Sequence, residues 1–168
     1  RRQFPVPSGA GAWYDAGREE EGKAMNGSVK APVHLWIVGV LATLWNGFGA
    51  LDYTMTQVRN PAWMAQLNEA QAAWLDAAPW WADGSWALGV WGGLAGSLLL
   101  LARSRHSVAA FILSLAGLVV NTLYQLTAPM PSGHMDSGGM IAFHVVIWAV
   151  AIALLVYALR MRKQGVLR

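Results

Sequence analysis

The chain of 168 residues has no cysteine and little charge. Without thiols there is no disulfide framework, no thiolate metal site and no cysteine nucleophile. Charged side chains make up 12% of the residues, about half the share in a soluble domain. The sequences HExxH, GxSxG and the Walker loop do not occur either, which leaves metallopeptidase, serine-hydrolase and P-loop chemistry without support. A net charge of +3 raises nucleic acid as a partner. The basic residues, however, sit at the ends of apolar runs and form no stripe interleaved with aromatics, so no nucleic-acid partner is expected. No cofactor is expected.

What is plentiful is apolar. Hydrophobic residues make up 55% of the chain and ten of its residues are tryptophan, the side chain that gathers where membrane meets water. The apolar residues fall in long runs, which predicts an all-α integral membrane protein, a four-helix bundle whose first partner is the lipid bilayer. The spans are predicted at about 33–54, 85–102, 108–127 and 139–159. Each approaches the roughly 20 residues that cross a hydrocarbon core. The first is too long for the apolar region of a signal peptide.

Residues 1–24 (RRQFPVPSGAGAWYDAGREEEGKA) show no hydrophobic period and differ in composition from the rest. Glu20-Glu21-Gly22 permits a purine-rich ribosome-binding sequence shortly before Met25. The expectation is that translation starts at Met25, that 1–24 is a non-native or disordered extension, and that 25–168 is a single membrane domain.

Lysine and arginine give the direction. With four spans, Lys30, Arg103, Arg105, Arg160, Arg162, Lys163 and Arg168 share one side, and Arg59 alone lies on the other beside Glu69, Asp76, Asp83 and Asp136. The positive-inside rule then predicts an inner (plasma) membrane protein with both termini cytoplasmic, N-in and C-in. Between spans one and two, Asn60-Pro61 is a helix start. Trp63, Leu67, Ala70 and Trp74 follow on one face, so an amphipathic interfacial helix is predicted over 61–78, ended near Pro79. It is a filler between spans or a lid.

Gly89, Gly92, Gly93 and Gly96 form two overlapping small-xxx-small pairs in span two, a helix-packing signal that suits contacts inside one bundle or a homo-oligomer seam. Polar side chains within the spans are Asn46, Asp52, Tyr53, Asn121, Tyr124, Gln125 and His144, all assigned to the outer half. Asn46, Gly49, Tyr53 and Thr56 share a helix face, as do Asn121 and Gln125. Two readings stay open: an outward-facing polar pocket containing Asp52 and His144, or hydrogen bonding that holds helices together. Asp52 is also within sequence reach of Arg59. In the last outer link, Met130, His134, Met135 and Met140 carry donors suited to Cu(I), but their spacing fits no fixed metal motif and an ordinary Gly/Pro/Ser turn explains the link.

The stretch HLWIVGVLATLWNGFGALDYTMTQVRNPAWM (34–64) resembles the opening of a family of small four-helix bacterial inner-membrane proteins, often labelled sugar transporters. Its core is W-N-x-F-G-A-x-D-Y-x-M-T-Q-x-R-N, and the likeness extends through VWGGLAGSLLLLARSR to the tail GVLR. The resemblance implies the same topology and draws attention to Asn46, Asp52, Tyr53, Gln57 and Arg59. Four spans are few for an alternating-access carrier, and polarity stops in the outer half. A non-enzymatic interaction or sensing role is therefore placed first. A small-solute transporter acting as an oligomer is second, and a membrane enzyme using His144 and Asp52 as acid and base is third.

Overall fold

The computed structural model describes residues 30–131 and 138–168 in full, and Ser137 by its backbone. The extension 1–24 and the expected start at Met25 lie outside the described residues, as do His134, Met135 and Asp136. Among the described residues the chain is helical, without a strand: α1 (Val33–Gln57), α2 (Pro61–Met64), α3 (Glu69–Asp76), α4 (Trp80–Leu101), α5 (His106–Thr127) and α6 (Ser137–Lys163). Helices α1, α4, α5 and α6 are long and apolar enough to cross a membrane. At 1.5 Å per residue they measure about 33–40 Å.

The ends of these helices have identifiable causes. Pro32 and Pro79, in extended conformation, precede the first turns of α1 and α4. Helix α4 therefore begins at Trp80, ahead of the apolar run that starts near Ser85. Helix α6 continues past Leu159 to Lys163, because Arg160, Arg162 and Lys163 in its last turn suit the negative end of the helix dipole. Three helices close with the same C-terminal motif, in which the chain turns through a left-handed residue. These residues are Arg59 (φ 52°), Arg103 (φ 57°) and Gly165 (φ 70°). The amides that follow reach back to Met55, Leu99 and Met161 carbonyls at 3.0, 2.8 and 3.0 Å.

The continuous helix expected over 61–78 is divided in two. Asn60 caps α2, accepting from the Ala62 and Trp63 amides. Four residues after Met64, Asn68 caps α3 in a reciprocal box with Gln71. A second strong cap inside the segment restarts the helix and so breaks it.

Helix α4 is central. Helix α5 packs against one side of it, from Asn121 beside Ala82 to Phe111 beside Gly96, and α1 packs against the other. Helix α6 lies on α5 more lightly. Its basic end joins the buried cluster of Leu35, Leu100, Phe111, Ala158, Val166 and Leu167. There His34 of α1 meets Tyr157 of α6, Nδ1 to hydroxyl at 2.6 Å with the rings edge-on.

The glycines of α4 are divided between two neighbours. Gly89 and Gly92 face α5, where a side-chain carbon on Gly92 would lie 3.1 Å from the Ser114 amide nitrogen. Gly96 is covered by the Phe111 ring, and Gly93 lies under the Asn46 side-chain amide of α1. The closest crossing uses Gly117 of α5, packed on Gly89 and the Ser85 carbonyl. The Ser114 hydroxyl donates to the Gly89 carbonyl at 2.6 Å across the same seam.

Candidate functional site

The polar residues of the four long helices separate into three groups. Asn46 stands alone. Its Nδ2 donates to the Ala42 carbonyl at 2.9 Å and to Ser97 Oγ at 3.1 Å, which fastens α1 to the basic half of α4, so Asn46 lies apart from the six other polar residues expected with it in the outer half. Gly49, beside Val90, and Tyr53, edge-on to Trp86 with centroids 5.0 Å apart, continue the same face. The stripe predicted from spacing is thus the α1–α4 contact.

The second group ties the link between α1 and α4 to the long helices. Trp63 Nε1 donates to Asp52 Oδ1 at 2.8 Å. Asp52 accordingly serves α2, and Arg59 pairs with Asp76 of α3. That ion pair is exposed on both sides, so screening leaves it little energetic weight. Asp83, in the first turn of α4, is within reach of the Gln57 side chain and the Arg59 charge. On the far side of the link, Trp74 Nε1 donates to the Ala128 carbonyl at the end of α5, at 2.9 Å. Trp74 and Trp81 both pack on the buried Tyr124 ring, with centroids 5.4 Å away in each case. Two indole N–H groups therefore strap the link down, one to α1 and one to α5. The sequence marks both tryptophans as apolar positions of an amphipathic face. Their donor role requires knowing which acceptor stands opposite.

The third group joins three long helices. Asn121 Nδ2 faces the Ala82 carbonyl and Ser85 Oγ of α4 at 3.4 and 3.5 Å. Gln125 Nε2 donates to Asn121 Oδ1 at 2.7 Å, and Gln125 Oε1 meets His144 Nε2 of α6 at 3.1 Å. The other ring nitrogen, Nδ1, lies 2.8 Å from the Met140 carbonyl. Two oxygens thus face one imidazole. A neutral ring has one N–H and satisfies one of them, whereas an imidazolium satisfies both. Turning over the Gln125 amide would instead give His144 a donor, but Asn121 would have to turn with it and set its Oδ1 against the Ala82 carbonyl, which also accepts; the arrangement in which Asn121 donates to α4 is the consistent one.

Asp52 and His144 therefore have different partners, Trp63 and Gln125. Among the described residues no three His, Cys, Asp or Glu side chains converge to hold a metal ion. Met140 contributes its carbonyl to His144.

Four helices of this length and apolarity define a multi-pass membrane protein by composition and dimension. Comparison with protein-family models, with curated proteins and with solved structures finds no match.

Proposed function

We propose that this chain is a four-helix inner-membrane protein of bacterial type with both termini cytoplasmic. Its role is interaction or sensing without catalysis, and its working part is the tryptophan-rich outer end. The orientation rests on the basic residues gathered at one end. Helices α2 and α3 lie at the outer interface, with tryptophans at headgroup depth.

The observation that carries the reading is the attachment of α6. Phe143, Val145 and Val146 are exposed, and among the described residues the His144–Gln125 hydrogen bond ties this end of α6 to α5. A hydrogen bond of this kind on the most lightly packed of the long helices suits a protein whose outer end changes its packing when a polar ligand or partner competes for that bond. A catalytic reading has less support, because Asp52 is engaged by an indole donor and not by His144. The transporter reading would need an oligomer and a polar path through the basic half. Below the Asn46–Ser97 contact that half is filled by Leu35, Leu100, Phe111 and Ala158.

The test is reconstitution into vesicles with radiolabelled hexoses. The expected result is uptake no greater than in protein-free vesicles. Saturable, counter-transportable uptake would overturn the reading in favour of a carrier.

A further inference from the structure

The basic end holds a second arrangement that the outer-end reading does not use. Helix α4 turns out through left-handed Arg103, and α6 turns out through left-handed Gly165. The two exits bring the link 102–105 beside the tail 164–168. The Arg168 amide donates to the Arg103 carbonyl at 2.8 Å, and the Arg105 amide donates to the Arg168 carbonyl at 2.8 Å. Arg103 Nε adds a bond to the Val166 carbonyl at 3.2 Å. Val166 and Leu167 are 2% and 5% exposed, so the tail is plugged into the core beneath this clasp. The frame is fixed by backbone bonds and burial, independently of what the arginine side chains meet.

The clasp borders an open depression of about 250 Å³ lined by Ala102, Arg103, Ser104 and Arg168. Arg105, Arg160, Arg162 and Lys163 belong to the same end. The acidic side chains among the described residues (Asp52, Glu69, Asp76 and Asp83) belong to the opposite one. Guanidinium groups and a hydroxyl on a rigid frame match the oxygens of a phosphate ester. The depression also lies where α4 ends its apolar run. Leu98, one turn before Ala102 on the same face, is 50% exposed. A molecule with its phosphate against Arg103 and Arg168 would find an apolar ridge for a hydrocarbon tail.

The geometry points to a binding site for the phosphate headgroup of an anionic membrane lipid, seated between Arg103 and Arg168 with an acyl chain along Ala102 and Leu98. It rests on the chain spanning a membrane. Basic pockets at helix ends on the cytoplasmic face are the usual setting for such headgroups.

The experiment uses the full chain in nanodiscs and in detergent, with phosphatidylglycerol and phosphatidylcholine as probes and native mass spectrometry as readout. Wild type should retain phosphatidylglycerol over phosphatidylcholine, and Arg168→Gln, which keeps the backbone clasp, should weaken that retention about fivefold. The pair Arg162→Gln/Lys163→Gln, on the same end but not lining the depression, should retain the lipid nearly as wild type does. Equal retention of both lipids, or equal loss in the control pair, would overturn the site and leave a general cationic surface. Competition by millimolar inorganic phosphate would assign the depression to a free anion and overturn the lipid. Failure of the protein to enter nanodiscs at all would contradict the membrane reading itself.

Discussion

Gly117 of α5 meets Gly89 of α4 backbone on backbone: a side-chain carbon at Gly117 would stand 2.6 Å from the Gly89 nitrogen and from the Ser85 carbonyl oxygen. Neither atom can move without bending α4. Gly117→Ala should therefore lower stability by about 1–3 kcal/mol, the usual cost of overpacking. Gly84 has nothing within 4 Å of its added carbon. Gly84→Ala should leave the melting temperature in detergent unchanged or raise it slightly. Gly93→Leu, which must displace Asn46, should be the most damaging of the three. Equal melting temperatures for all would show that this seam is not a close crossing.

The straps of the α1–α4 link can be tested at Asp52. Asp52→Asn keeps an acceptor for Trp63 and should leave hydrogen exchange of the amides of residues 62–64 near wild type. Asp52→Leu removes it, and exchange there should quicken while the α5 end, held by Trp74 on Ala128, stays protected. Quickening at both places would mean that the link detaches as one piece.

Gly165 takes φ 70° at the end of α6. Left-handed backbone costs an L-residue about 1–2 kcal/mol. Gly165→Ala should loosen the tail and expose Val166 and Leu167, read as faster cleavage of the C-terminal residues by carboxypeptidase. An unchanged rate would mean that the clasp holds the tail without the turn.

The four long helices were legible because length and apolarity are properties of a run and need no partner. Their ends were less so. Trp80, Trp81 and Asp83 extend α4 beyond its apolar run, since a helix starts where Pro79 lets it. The break at Asn68 was readable in principle as Asn-x-x-Gln, a capping box inside a longer amphipathic pattern that hid it. Of the candidate polar residues, the face shared by Asn46 and Tyr53 was visible from spacing, as was that of Asn121 and Gln125. That Asn46 would serve a different contact from His144 was not visible, because spacing gives a direction and the partner depends on which helix lies there. Gly117 carries no signal in the sequence, since one glycine makes no repeat.

The proposed direction across the membrane rests on the charges and is open to labelling, helped by the absence of cysteine. Single cysteines at Ser104 and in the tail should react from the cytoplasm, and one at Ala70 from outside. Labelling of position 70 from the cytoplasm alone would reverse the orientation.

The central claim is that His144 and Gln125 hold the outer end of α6 to α5. The direct measurement is a pair of nitroxide distances in nanodiscs, one between labels at the exposed positions Leu126 and Ile141 and one between Ala109 and Leu159 at the basic end. In His144→Phe, which keeps a ring but loses both nitrogens, the first distribution should lengthen and broaden while the second stays as in wild type. If both distributions match wild type, α6 is held by other contacts, and the reading of this end as a responsive site is contradicted.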